Sequence, residues 1–384
     1  MNILWSFHTT PRINPRVFCI GVSNLTDQDY MKLAIDVAKA GVGQTAPNPV
    51  VGAIVVKDGR VVGIGAHLQA GEEHAEVHAI RMAGEKAEGA TVYVTLEPCS
   101  HHGRTPPCSD LLISKNVKRV VVATTDPNPL VAGTGIKKLE NAGIEVVVGV
   151  LKQAADDLNA AFYHYINTKL PYVTLKSATS LDGKTATVTG ESKWITGEEA
   201  RLDVHRYRHQ HDAILVGVNT VITDNPSLTT RLPNGGKNPI RVIVDTSLRT
   251  PLDSNVVIDG NAETWIITSR TATVKRQEQY HSMGVKVFPL DDDKITITKL
   301  LSLLGQQGIS SLFVEGGAEI NGSFIKEKVV NQVITYVAPK IIGGKLAPTS
   351  VGGTGFERME EILHLRIKSV EQLGKDIKII SVPL

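Results

Sequence analysis

With 384 residues, the chain exceeds what one hydrophobic core usually organises, so two domains are expected. A hydrophobic fraction of 42%, a charged fraction of 21% and a formal net charge of +2 describe a globular chain and exclude a general polyanion-binding surface, which needs clustered Lys and Arg. No apolar run approaches the roughly 20 residues that span a bilayer, and aromatic residues, at 5%, leave few stacking platforms for nucleic-acid bases.

The first 25 residues carry Arg12 and Arg16 with short apolar groups around Leu4-Trp5 and Val17-Phe18-Cys19-Ile20. They lack the continuous apolar core and cleavage site of a signal peptide and read as a disordered N-terminal extension. Thr26-Asp27-Gln28-Asp29 has the form of a capping box, and Met31, Ala34, Ile35 and Ala38 follow at helical spacing. Two β-rich runs, 52–56 and 61–64, flank Asp58-Gly59 and predict a hairpin. The chain then alternates: a helix from about His74, a strand at 91–96, a helix after Pro107, a strand at 118–123, a helix near 135–142 and a strand at 145–148. Residues 151–169 read as one helix leading out. Residues 26–169 therefore predict an α/β/α sandwich on a mixed sheet.

Pro171 starts the next unit, 170–384. Its strands are predicted at 173–177, 214–216, 241–244, 264–267, 285–288, 312–314 and 332–337, alternating with helical stretches. That is the pattern of a second α/β domain on a largely parallel sheet.

Chemistry gathers first at His74-Ala75-Glu76, Pro98-Cys99 and Cys108. One imidazole and two thiolates make a three-ligand zinc site with an open fourth position, beside a carboxylate that is not a ligand. Zinc in such a site lowers the pKa of its water from about 15.7 to about 7, the requirement of hydrolytic deamination. Glu76 would carry the protons. Alone, H-x-E means little; Cys99 gains weight because it ends a buried strand, where α/β sites form. A structural zinc site would need a fourth ligand, for which His78, His101 or His102 is available. The eight residues between Cys99 and Cys108 depart from the P-C-x-x-C spacing of common nucleobase deaminases. Glu72 and Glu73, preceding His74, read as helix-capping acids. Three cysteines, two in a metal pattern, indicate a reducing, cytoplasmic compartment.

In the second half there is no G-x-G-x-x-G fingerprint. Glu315-Gly316-Gly317 follows an apolar strand and opens a helix at Ala318, which can present bare amides to a pyrophosphate. Glycines also serve ordinary turns. Arg208 and Arg231 suit a phosphate, since guanidinium matches phosphate oxygens; a solvated helix face is the plainer reading for Arg208, crowded by Arg201, His205, Arg206 and His209. No side chain is an evident proton donor.

Residues 47–52, 71–79 and 97–108, with Lys176-Ser177-Ala178-Thr179-Ser180-Leu181-Asp182-Gly183-Lys184, 212–217, Asp224-Asn225-Pro226 and 314–317, resemble the bacterial bifunctional riboflavin-biosynthesis deaminase/reductase over nearly all of the chain after residue 26. The resemblance implies a cytidine-deaminase-like domain followed by a dihydrofolate-reductase-like domain. It implies Zn2+ on His74, Cys99 and Cys108, Glu76 as the catalytic acid/base, and Asn48, His67, His101 and Arg104 around the pyrimidine. By residues 47–49 alone, Asn48 between two prolines could be simply a turn residue. In the second domain the resemblance implies NADPH contacts at Ala178, Trp194, Thr220, Asp224, Ser247, Gly317, Ala318, Glu319, Ile320, Asn321, Gly322 and Ser323. Ser192, Arg208, Leu228, Arg231 and Glu315 would line the sugar-phosphate site. The implied reaction is hydrolysis of the 2-amino group of 2,5-diamino-6-ribosylamino-4(3H)-pyrimidinone 5-phosphate, then NADPH-dependent reduction of the ribosyl group to give 5-amino-6-(5-phosphoribitylamino)uracil. A small-molecule substrate, no nucleic acid, no membrane and a homo-oligomer complete the expectation. A nucleic-acid base deaminase with an accessory domain, and a zinc-stapled binding module in which Glu76 has no task, are the rival classes.

Overall fold

The computed structural model describes residues 25–101, 106–127 and 132–384; the expected N-terminal extension with Cys19, and Arg104, lie outside them. The first unit opens with α1 (Asp27–Ala38). Thr26 accepts from the Asp29 amide while Asp29 accepts from the Thr26 amide, the capping box that the sequence spells. Next come β1 (Gly52–Lys57), β2 (Arg60–Ala66), α2 (Ala75–Ala83), β3 (Thr91–Val94), α3 (Cys108–Ser114), β4 (Arg119–Val122), α4 (Thr134–Asn141) and β5 (Glu145–Val148). Asp58 and Gly59 take φ of 49° and 73°, the left-handed pair that a tight two-residue hairpin requires.

The sheet runs β2-β1-β3-β4-β5, antiparallel through β3 and parallel beyond it. Alternation along β1 sends Ala53 and Val55 into a core with α2, α3 and α4, and Ile54 and Val56 into a core with α1. Gly65 lets α2 lie directly on β2, because a Cβ there would meet the Ala75 carbonyl oxygen at 2.1 Å. That close approach fixes the helix start carrying His74 and Glu76.

The helix expected over 151–169 is two: α5 (Lys152–Leu158) and α6 (Ala160–Thr168), broken at Asn159. Asn159 is buried and spends its amide on a distant strand-like segment, donating to Val50 O and accepting from Val50 N, both at 2.9 Å. Two hydrogen bonds across 109 residues outweigh one more turn of helix.

The second unit comprises β6 (Tyr172–Ser180), α7 (Glu198–Gln210), β7 (Ala213–Gly217), α8 (Val218–Asp224), β8 (Ile240–Val244), α9 (Asn255–Ile258), β9 (Thr264–Ser269), α10 (Val274–His281), β10 (Lys286–Leu290), α11 (Ile297–Gln306), β11 (Ser311–Val314), α12 (Ala318–Lys326), β12 (Gln332–Ala338), β13 (Leu365–Leu373) and β14 (Asp376–Pro383). Its sheet is ordered β10-β9-β8-β7-β11-β6-β12-β14-β13, parallel as far as β12. The hairpin β13–β14, paired antiparallel, was not among the expected strands. Helices cover both faces, with α7, α8 and α10 on one core and α11 and α12 on the other. Among the described residues no helix is long and apolar enough to cross a membrane.

The units meet along α5 and α6. Tyr165 donates to Gly305 O at 3.0 Å, and Lys368 pairs with Asp157 at 2.8 Å. Between them lies a cavity of ≈ 200 Å³ bordered by Asn48, Asn159, Phe162, Tyr172, His211 and Ser310, at the amino ends of β6 and β11. Asn159→Ala would leave two buried backbone groups unpaired at about 1–3 kcal/mol each. A marked fall in the urea midpoint is expected, and an unchanged midpoint would mean that the Val50 clamp carries no weight.

Candidate active sites

Three chain segments converge on the first pocket. His74 is the N-cap of α2, Cys99 follows β3, and Cys108 is the first residue of α3. His74 Nδ1 lies 3.3 Å from Cys108 Sγ and 3.6 Å from Cys99 Sγ, and all three ligand atoms fall within 4.8 Å of one another. Tetrahedral zinc with Zn–S near 2.3 Å and Zn–N near 2.0–2.1 Å spaces its ligands roughly 3.6–3.8 Å apart. The donor set therefore fits zinc in both chemistry and spacing. The Cys108 amide also donates to Cys99 Sγ at 3.2 Å. The hydrogen bond from the Cys108 thiol, with His74 beside it, holds Cys99 down at about 4, while the same bond and burial push Cys108 up. One thiolate is thus favoured even before metal enters.

Glu76 sits in the first turn of α2, only 3% exposed, and burial pushes its carboxyl up to about 7 despite the pull of His74. A carboxyl poised there can both accept and return a proton near neutrality. Glu72 and Glu73 precede the helix and do not cap it; Glu73 forms an ion pair with Arg81, and the first-turn acid is Glu76.

The pocket, ≈ 280 Å³, brings together Asn48, His67, His74, Glu76, Cys99 and His101. His67 Nδ1 lies 3.1 Å from Glu73 O, which can only accept, so this nitrogen carries the proton. Its Nε2 then accepts from Asn48 Nδ2 at 3.3 Å. Burial lowers the His67 pKa, in keeping with a neutral ring. Asn48 is thus held by a partner 19 residues away, which a bare turn would not need.

Sequence reasoning missed Glu97, Asp126 and Phe162, which also line the pocket. Glu97, 6% exposed, accepts backbone N–H groups from Gly133 and Gly135 at 2.9 Å, Asp126 at 3.2 Å and Ile136 at 3.3 Å. It ties the strand end that bears Cys99 to the start of α4. The signal was its place immediately before Pro98-Cys99, but the amides that donate to it are distant in sequence.

The second site is a cleft of ≈ 400 Å³ at the carboxyl ends of β6, β11 and β7, where the strand order reverses around β11. It gathers Ala178, Ser192, Thr220, Asp224, Glu315, Gly317, Ala318 and Asn321. The remaining residues of the 317–323 run do not line it, because α12 turns them away: Ile320 packs beneath Gly217 and Gly316, Glu319 accepts from the Gly353 amide, Gly322 lies against Gly352 O, and Ser323 bonds within the helix. Trp194 is exposed with Arg201 stacked 4.6 Å over its ring, Leu228 is in the core, and Ser247 and Arg231 are exposed beyond the cleft walls.

Arg208 grips Glu315 through two nitrogens, at 2.6 and 3.2 Å, and donates a third bond to Thr229 O at 3.1 Å. Lys176, which the sequence reading assigned no role, lines the cleft and stands 3.5 Å from the same carboxylate. Burial would raise the Glu315 carboxyl, but Arg208 and Lys176 outweigh it and hold it at about 2. Much of the Arg208 fork is therefore committed within the protein.

The family model of the cytidine and deoxycytidylate deaminase zinc-binding region matches residues 25–124, and that of the RibD C-terminal domain matches 171–379. The riboflavin biosynthesis protein RibD of Bacillus amyloliquefaciens is 54% identical over 357 residues, covering 93% of this chain and 96% of the relative. The Escherichia coli RibD is 42% identical, covering 92% and 98%. Among solved structures, Acinetobacter baumannii RibD superposes with a TM-score of 0.84 at 41% identity, covering 93% of this chain and 99% of that one. The Thermotoga maritima diaminohydroxyphosphoribosylaminopyrimidine deaminase/5-amino-6-(5-phosphoribosylamino)uracil reductase does so with 0.82 at 38%, with the same coverage. Open three-ligand geometry beside a buried glutamate, a second cleft at a strand-order reversal, and this end-to-end likeness place the chain in the RibD family of bifunctional riboflavin-biosynthesis deaminase/reductases.

Proposed function

We propose that the two units divide near residue 170, the first deaminating 2,5-diamino-6-ribosylamino-4(3H)-pyrimidinone 5-phosphate and the second reducing the ribosyl group of the product with NADPH. The observation that carries the reading is the buried Glu76 carboxyl beside three ligand atoms within 4.8 Å. Zinc, when bound, supplies a Lewis acid that makes a water nucleophilic near neutral pH. Glu76 would act as the acid/base, its buried carboxyl accepting a proton from the attacking water and returning protons to the ring nitrogen and the departing ammonia. Asn48, oriented by His67, offers its amide to the ring, and His101 borders the pocket mouth. Arg104 is assigned to the substrate phosphate on its chemistry alone.

In the second cleft, reduced nicotinamide supplies the hydride. Gly316, Gly317 and Ala318 at the start of α12 offer backbone amides to a pyrophosphate. Lys176 and Glu315, the latter gripped by Arg208, form a charged floor against which the sugar is positioned, with Ser192 on the wall and Arg231 nearby. A cytoplasmic location rests on the free cysteines Cys99 and Cys108. A homo-oligomer is supported by β13, an edge strand with Ile367 and Val370 about 60% exposed.

Elemental analysis of purified protein should find one zinc per chain, lost in Cys108→Ala; full retention in that variant overturns the ligand set. Glu76→Gln should keep zinc yet lose deamination by about 10²–10⁴-fold, the usual range for general acid/base work. It should still oxidise NADPH when given the deaminated substrate, with products followed by mass analysis. Deamination surviving within about tenfold would remove Glu76 from the mechanism.

Arg208→Ala should spare deamination and impair reduction. A carboxyl held low by its partners keeps their stabilisation above its unfolded value of about 4.3 and loses it as pH falls through the folded value. Removing Arg208 raises the Glu315 value from about 2, so the acid limb of the reductase profile should move to higher pH. An unmoved limb, with folding intact, would mean that Arg208 does not hold that carboxylate.

A further inference from the structure

The first pocket and the cavity between the units are neighbours that share two side chains, Asn48 and Phe162. His74, Glu76 and Cys99 border only the pocket, so Asn48 and Phe162 form a partition between the two spaces. Asn48 is polar and can meet a ring edge. Phe162 carries the only benzene ring among the pocket's described walls.

A phenylalanine on a helix ordinarily fills a hydrophobic core. Phe162 does not. Among the described residues it joins none of the apolar cores, and no residue of α6 is fully buried. It stands partly exposed on the partition instead.

Its place is nonetheless fixed from both sides. Three residues before it, Asn159 bonds the amide and the carbonyl of Val50, both at 2.9 Å, and Val50 follows Asn48 by two residues. One pair of hydrogen bonds thus sets both side chains of the partition in register. Three residues after it, on the same helix face, Tyr165 donates to Gly305 O at 3.0 Å, and the His164 ring meets Tyr172 edge-on at 5.9 Å. An apolar ring anchored in this way and left out of the core offers a flat surface to whatever enters the pocket.

No other wall can do so. Pro49, Val51 and Leu96 are aliphatic, while the His67 ring is engaged by Glu73 O and Asn48, and His74 stands against the two sulfurs. A planar pyrimidine has two faces, and hydrolysis at a ring carbon needs one of them turned toward the ligand cluster and Glu76. The opposite face then needs a support without competing hydrogen-bond groups, which a phenyl ring supplies.

We infer that Phe162 is a substrate-orienting residue of the deaminase, an aromatic wall on which the pyrimidine ring stacks while Asn48 meets its edge. This rests on the reading of the first pocket as the deaminase site. Without the phenyl ring the pocket of ≈ 280 Å³ opens into the cavity of ≈ 200 Å³ beside it, and the pyrimidine is free to tilt away from Glu76.

The test uses full-length zinc-loaded wild type, Phe162→Ala, Phe162→Leu and Phe162→Tyr. Deamination of the diaminopyrimidine phosphate is followed by mass analysis, and its Kd is measured by calorimetry with the same substitutions in Glu76→Gln protein, which turns it over too slowly to interfere. Phe162→Ala should weaken binding roughly 5- to 150-fold, the range for base–aromatic stacking. Phe162→Leu keeps apolar area without the π-face and should lose roughly 2- to 12-fold, while Phe162→Tyr stays near the wild type. Zinc content and reduction of the deaminated substrate should be unchanged in all three. Phe162→Leu binding as tightly as wild type, or Phe162→Tyr no better than Phe162→Leu, overturns the stacking role. Loss of zinc, or an equal loss of reduction, overturns it in favour of a brace for the fold. A wild type that deaminates no such pyrimidine overturns instead the reading of the pocket.

Discussion

The N-terminal half depends on holding one imidazole and two sulfurs within 4.8 Å although they come from residues 74, 99 and 108. Such a cluster of soft donors is costly to assemble without metal, because each group gives up water and two thiols compete for charge. The fold meets the cost by starting two helices at the cluster. His74 opens α2 and Cys108 opens α3, so amide dipoles favour negative charge where the thiolates must sit. The Cys108 amide bonded to Cys99 makes this concrete.

Around that requirement the supporting contacts are long-range and polar. Glu97 binds four amides on the segment leading into α4, so the strand end carrying Cys99 cannot drift from the wall opposite it. Asn159 clamps Val50 two residues beyond Asn48, and His67 holds Asn48 itself. In the other half the same logic uses charge: Glu315 and Lys176 line the second cleft while Arg208 pairs with the same carboxylate, and a buried ion pair of this kind is weak evidence for stability.

What could be read from the amino acids was local. Thr26 and Asp29 announce a helix start within four residues, and Asp58-Gly59 a hairpin within two. The ligand set was legible because Glu97-Pro98-Cys99 sits at a strand end and His74-Ala75-Glu76 at a helix start. The break at Asn159 was not, since its cause lies 109 residues away. Nor was β13, whose alternation is interrupted by a register shift between Ile367 and Ser369 and whose side chains are mostly exposed. Arg208 looked like a phosphate ligand from its charge, yet a partner 107 residues on occupies much of its fork. Side-chain chemistry names candidates; only the fold says which donors are already engaged.

The first unit docks at the amino ends of β6 and β11, while the second cleft opens at their carboxyl ends. The strand β6, whose amino end faces the first unit and whose carboxyl half lines the second cleft, is nine residues long, roughly 30 Å. Neither opening obstructs the other, and no side chain lines both. Covalent fusion then acts through stoichiometry: every ribosome that completes the chain delivers one deaminase and one reductase, so the supply of the second catalyst rises in fixed proportion to the first without any shared wall between them.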